Sequence, residues 1–187
     1  MGHGGNAIDE LMADHREVER MFSGIEEMPT SDLALRGMVD EVTIELVRHA
    51  VAEEQYLYPA VRDHVEGGAQ LADKEIADHA RIEKLLKRLE PMTPKDAEFP
   101  MLLQQLMDQV TEHIGDEEER LFPALREACP PAMLTDLGDK IRRAKAMAPT
   151  RPHPAVPTTP TASKLLAPGV GLVDRARDFV SGRGRKD

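Results

Sequence analysis

Four stretches of the chain repeat apolar residues every three or four positions, the spacing that gathers side chains on one face of a helix. The first runs from about Ala7 to Glu27, with Ile8, Leu11, Met12, His15, Phe22 and Ile25 near one face. Pro29-Thr30-Ser31-Asp32 breaks it and offers capping residues for the next. The second runs from about Asp32 to Val65, with Leu35, Met38, Val42, Leu46, His49, Glu53, Tyr56 and Ala60 on one stripe. Gly67-Gly68 ends it. The third, from about Leu71 to Leu89, stops at Pro91 and Pro94. The fourth, from about Ala97 to Ala128, aligns Leu102, Leu106, Val110, His113, Glu117 and Ala124, and Pro100 fits its first turn. After Pro130-Pro131 a shorter amphipathic helix is expected over about Met133 to Met147, lying against the others. Strand signals are weak throughout, so the fold class is all-α.

Histidines and glutamates interrupt the apolar stripes twice in the same way. His15, His49 and Glu53 are each followed, 64 residues later, by His79, His113 and Glu117. Asp14-His15 matches Asp78-His79, and HAVAEEQYLYPA from His49 matches HIGDEEERLFPA from His113. Pro59 and Pro123 hold equivalent places and are expected to kink their helices just beyond the His-x-x-x-Glu turns.

Residues four apart share a helix face, so each His-x-x-x-Glu pair addresses one point. Antiparallel helices of these lengths bring all six groups to one depth, as in metal sites built between facing helices. A single histidine on an apolar face is usually an ordinary core histidine. Four at matched depth, two of them with a carboxylate one turn on, are a different matter: burying them all without a metal would cost several kcal/mol. Six nitrogen and oxygen ligands with no thiolate disfavour a structural zinc site. Imidazole with carboxylate suits iron, and carboxylates that bridge suit two ions. Four histidines, two bridging glutamates and a solvent-derived oxo or hydroxo bridge leave one or two positions open for a small oxidant.

Four further side chains are candidates for an additional ligand or a supporting hydrogen bond: Glu83, its repeat partner Glu19, Tyr56 and Tyr58. For Glu83 and Glu19 the competing reading is a solvated or salt-bridged surface residue. Tyr56 lies on the inward stripe, either reaching the metal or packing as a core tyrosine with its hydroxyl at the bundle end. Tyr58 corresponds to Phe122, which favours packing, although a kink at Pro59 would re-aim it inward. Glu54 and Glu118 read as solvated or as supporting the site. His3, His64 and His153 are not convincing ligands.

The motif H…HxxxE…H…HxxxE, here His15, His49 to Glu53, His79 and His113 to Glu117, resembles the hemerythrin HHE cation-binding domain. The resemblance covers about residues 7 to 128. It implies an up-down-up-down four-helix bundle around a non-haem di-iron centre that stores or carries dioxygen, senses oxygen or iron, binds nitric oxide or acts on peroxide. Oxygen carriers of the family have HxxxH on the third helix and HxxxxD on the fourth. Here the third reads His79-Ala-Arg-Ile-Glu83, and Glu117 follows His113 by four. The missing fifth histidine favours chemistry with dioxygen, peroxide or nitric oxide over reversible carriage. A peroxide-decomposing enzyme and an iron- or oxygen-sensing module without turnover both remain open.

Charge divides the 187 residues. Residues 1–148 hold 17 Lys and Arg against 31 Asp and Glu, whereas residues 149–187 hold 7 against 3. The acidic body argues against nucleic acid and for cations. The expected division is a metal-binding bundle over 1–148, then a Pro-rich linker and short amphipathic, basic tail over 149–187. That tail is expected to contact its own bundle, a second copy or a partner, and a membrane is disfavoured. The single cysteine, Cys129, and the absence of a basic-apolar leader point to the cytoplasm.

Overall fold

The computed structural model of the protein describes residues 5–29, 33–153, 174 and 178. Their regular structure is all helical, with no strand among them. Helix α1 spans Ala7–Glu27, α2 Leu33–Ala52, α3 Tyr58–His64, α4 Gly68–Leu89, α5 Phe99–Asp116, α6 Phe122–Ala128 and α7 Pro131–Met147. Helices α2 and α3 are one rod joined by a π-helical turn, Glu53–Leu57, and α5 and α6 are joined likewise by Glu117–Leu121. Four main helices and a shorter fifth therefore form the bundle that the apolar stripes predict.

Local chemistry sets the ends. The Asn6 side chain accepts from the backbone N–H groups of Ile8 (2.9 Å) and Asp9 (3.1 Å), capping α1. The cap expected for α2 among Thr30, Ser31 and Asp32 lies outside the described residues. Helix α4 begins three residues earlier than the pattern suggests, at a two-glycine corner. Gly67 takes φ +69°, and a Cβ on Gly68 would sit 2.1 Å from the Val61 carbonyl oxygen. Gly68→Ala is therefore expected to lower stability by about 1–3 kcal/mol. Gly37→Ala, mid-α2 with nothing within 4 Å of the added methyl, should raise it by about 1 kcal/mol. Denaturant melts of the two variants test both signs.

The π turns have a covalent cause. Pro59 and Pro123 lack the N–H that would bond one α-turn back, and their rings clash with the carbonyl four residues before. The chain widens by one residue instead: Tyr58 N–H bonds to Glu53 O, and Phe122 N–H to Glu117 O. The kinks expected beyond the His-x-x-x-Glu turns are thus π turns that begin on the glutamates themselves.

Two apolar clusters fill the bundle. One contains Val18, Phe22, Val42, Leu46, Leu86, Leu102, Leu106 and Val110. The other contains Ile8, Leu11, Leu57, Tyr58, Val61, Leu121, Phe122 and Leu125, and α7 adds Leu134, Leu137 and Ile141 to it. On the main helices the histidines fall near the boundary between them: His15 between Leu11 and Val18, His49 between Val47 and Ala52, His79 between Ala72 and Ile82, and His113 beside Ile114, the last residue of the first cluster before Leu121 of the second. The polar groups form a layer across the middle of an apolar core.

Helix α7 packs on α1 and α2, and its Gly138 presses the α1 N-terminus, where a Cβ would lie 2.9 Å from Asn6 C. Beyond it, residues 149–153 lie against α4: Arg151 pairs with Glu90 (2.9 Å), and the His153 N–H donates to Glu83 (2.8 Å). Asp178 pairs with Arg151 (2.7 Å), and Asp174 with His153 (2.8 Å). Arg175 and Arg177 of the basic tail lie outside the described residues. Among the described residues, no helix is long and apolar enough to cross a membrane.

Candidate metal centre

The six repeated residues come from four helices and both π turns, and all are buried, none more than 7% exposed. Within the first hairpin the His15 and His49 Nε2 atoms lie 3.2 Å apart, and within the second those of His79 and His113 lie 3.1 Å apart. The glutamates tie the hairpins together. Glu53 turns Oε1 to His49 Nε2 (3.1 Å) and Oε2 to His79 Nε2 (3.3 Å). Glu117 Oε2 approaches His15 Nε2 (3.4 Å) and His113 Nε2 (3.8 Å). Donor atoms of His15, His49, Glu53 and Glu117 fall within 4.8 Å of one another, as do those of Glu53, His79 and His113, and those of Glu75, His113 and Glu117. Glu53 and Glu117 are thus shared between groups. Their Oε1 and Oε2 respectively are buried and accept no hydrogen bond, which leaves lone pairs aimed at the centre.

Each histidine turns Nδ1 outward to a carboxylate: His15 to Glu118 (2.8 Å), His49 to Asp14 (3.2 Å), His79 to Glu54 (3.1 Å) and His113 to Glu75 (2.8 Å). An Nδ1–H donated to a carboxylate leaves Nε2 as the inward donor, the arrangement metal-binding histidines use. Glu54 and Glu118 obey the 64-residue repeat, and both cross to the opposite hairpin. Asp14 and Glu75 do not, because Asp78 instead meets Lys74 (2.7 Å) and Arg81, while Leu11 stands where the repeat of Glu75 would be.

Tyr58, not Tyr56, reaches the centre. Its hydroxyl donates to Glu117 Oε1 (3.0 Å) and lies 3.4 Å from Glu53 Oε2 and 3.1 Å from His79 Nε2. Its repeat partner Phe122 stacks on His15 at 5.6 Å between ring centroids. At this position the two halves of the site differ by one hydroxyl group.

So much buried carboxylate draws positive charge inward. Burial alone would lower the His79 pKa, but hydrogen bonds and charge from Glu53 and Glu54 overcome it and raise it to about 10. His49 rises well above the usual range in the same way, burial being outweighed by the Glu53 charge and the Asp14 hydrogen bond. Burial works against Glu53 ionising, yet His49 and His79 pull its pKa well below that of a free carboxyl. Burial, with the charges of Glu117 and Glu53, pushes the Tyr58 phenol well above 10. Converging imidazoles, shared carboxylates and outer acceptors make a chemically fitting cradle for cations.

The sequence pattern of the hemerythrin HHE cation binding domain matches residues 6–125. The chain belongs to this family. A hemerythrin-like protein of Schizosaccharomyces pombe is 26% identical over 173 residues, covering 92% of this chain and 85% of that one. A DNA nickase of Nostoc sp. is 31% identical over 123 residues, so this hemerythrin-family chain matches 34% of the nickase through 65% of its own length. A solved hemerythrin HHE domain-containing protein from Mycobacterium kansasii superposes with a TM-score of 0.66 over 75% of this chain and 85% of that one. At 23% identity that likeness speaks for the hemerythrin fold alone.

Other candidates of this hemerythrin domain lie away from the converging donors. Glu19 is half-buried on α1 and pairs with Arg16. Glu83 is half-buried and holds the His153 N–H, and burial raises its pKa. Tyr56 is half-buried and packs against the apolar cluster that includes Leu57 and Val61. His64 is exposed near the end of α3. The residues that spacing did not single out are Glu75 and Lys145. Lys145 carried a usable signal, since it continues the apolar stripe Leu134, Leu137, Ile141 on α7.

Proposed function

We propose that this hemerythrin-family protein holds two non-haem iron ions and that it binds or reacts with small oxidants: dioxygen, peroxide or nitric oxide. His15 and His49 would hold one iron, His79 and His113 the other, with Glu53 and Glu117 shared between them. The observation that carries this reading is the pair of carboxylates shared between two histidine pairs inside a buried layer. An all-imidazole and carboxylate donor set suits iron, and bound iron would supply a redox-active centre open to a small oxidant. The protein's own groups do the rest. Asp14, Glu54, Glu75 and Glu118 orient the imidazoles through Nδ1, Tyr58 brings a hydroxyl proton to Glu117 beside the centre, and the two apolar clusters exclude water on either side.

Stopped-flow spectra of the reduced and oxidised iron-loaded protein, mixed separately with dioxygen, peroxide and nitric oxide, test the function. A stable adduct marks a binding or sensing protein, and gas release with repeated turnover marks a peroxide-decomposing enzyme. Unchanged spectra with all three oxidants would contradict the proposal. We further infer that the iron-binding unit ends by residue 148. Deleting residues 149–187 should leave iron content and the optical spectrum unchanged, because none of the six converging residues lies there.

A further inference from the structure

Lys145 occupies a place where lysine is costly. It continues the apolar stripe of α7 and is only 8% exposed, so its charge must be met by buried partners. Its Nζ donates to Asp14 Oδ1 at 2.5 Å and to Glu10 Oε1 at 3.3 Å. Asp14 turns its other oxygen, Oδ2, to His49 Nδ1 at 3.2 Å. A continuous chain thus runs from α7 through one carboxylate to an imidazole of the centre. The second hairpin has its own version: Lys74 lies 3.4 Å from Glu75 Oε1 and 2.7 Å from Asp78, and Glu75 Oε2 meets His113 Nδ1 at 2.8 Å. Lys74 belongs to the doubled hairpins, whereas Lys145 is supplied from outside them. Helix α7 is held in register for this by the close approach of Gly138 to Asn6 and by Arg142, which donates to the Gly5 carbonyl at 3.1 Å.

We propose that Lys145 is a positioning residue for the metal centre: from α7 it fixes the Asp14 carboxylate so that His49 keeps Nδ1 outward and presents Nε2 to the iron. This rests on the di-iron reading above, and it makes the first half of the site dependent on a helix that the repeated motif does not contain. A carboxylate free to rotate would hold the imidazole loosely, and loss of such outer partners weakens metal binding by roughly 10–100-fold. The dependence is one-sided, since Lys74 backs His113 without help from α7.

Full-length Lys145→Met, Lys145→Arg, Asp14→Asn and the Lys145→Met/Asp14→Asn double variant, each checked for folding by thermal melting, decide the matter. In chelator competition Lys145→Met is expected to weaken one of the two irons by on the order of 10–100-fold. Lys145→Arg should recover most of that loss, and the double variant should bind no more weakly than Asp14→Asn alone. Lys145→Gln carries the same comparison if the methionine variant does not fold. A folded variant lacking the lysine charge that keeps both irons as tightly as wild type overturns the proposal, as do losses from Lys145→Met and Asp14→Asn that multiply. A second readout needs no iron: the downfield NMR signal of the His49 Nδ1 proton in chelator-treated protein. It should be sharp in wild type, lost in Lys145→Met and restored in Lys145→Arg. A wild type that takes up no iron would sink the di-iron reading, while the His49 proton would still decide the role of Lys145: an unchanged signal in Lys145→Met refutes it.

Discussion

Glu53→Ala is expected to take the protein from two bound irons per chain to fewer than one. Glu53 turns one oxygen to a histidine of each hairpin, at 3.1 Å and 3.3 Å, so on the di-iron reading its loss would deprive both ions of a shared ligand. The weakening should exceed the roughly 10–100-fold that follows loss of a hydrogen-bond partner behind a ligand. Glu53→Gln keeps the shape but not the charge, and should retain more iron than the alanine variant. His64→Ala, on the exposed end of α3, should retain both ions. Iron per chain after desalting, measured by elemental analysis, gives the ranking. Two irons retained by Glu53→Ala would remove Glu53 from the centre.

Stripping the metal is expected to lower the melting temperature by on the order of 10–20 °C. Each ion held at a free concentration about 100 times its Kd adds about 2.7 kcal/mol to the folded state. Two ions therefore contribute about 5 kcal/mol, and a domain of this size shifts by about 2–4 °C per kcal/mol. The architecture gives the effect its cause. A layer of four imidazoles and two carboxylates separates the apolar clusters, and without cations it must balance its own charge inside a dry core. Scanning calorimetry before and after chelation, then after return of ferrous iron, measures it. An unchanged melting temperature would mean that the layer balances itself and that metal is no part of the folded state.

Much of this molecule can be read directly from its residues. The stripes place α1 at its observed limits, and the 64-residue repeat brings together the six side chains that converge in the structure. What escaped the pattern did so for physical reasons. Counting at the α-helical period puts Tyr56 on the inward face seven residues after His49. Pro59 converts the next turn to a π turn, in which the residue one turn on from Glu53 is five away rather than four, so Tyr58 follows Glu53 onto the inward face. The signal was present in Tyr-x-Tyr-Pro, but the α period alone cannot choose between its two tyrosines. Glu75 was invisible to the repeat because Leu11 stands at the equivalent place, and its partner, His113, is 38 residues away. Asp14 appeared only as half of a repeated Asp-His pair. Its repeat partner Asp78 is taken up by Lys74 and Arg81, so the halves share a motif without sharing every supporting contact.

A pair of metal ions held between the two hairpins would be magnetically coupled, which Mössbauer spectroscopy of protein loaded with iron-57 detects. Two irons per chain are expected in closely similar imidazole–carboxylate environments, magnetically coupled through the shared carboxylates, with the inequivalence introduced by Tyr58 on one side. Uncoupled, magnetically isolated iron, or a loading that saturates at one ion per chain, would contradict the paired site.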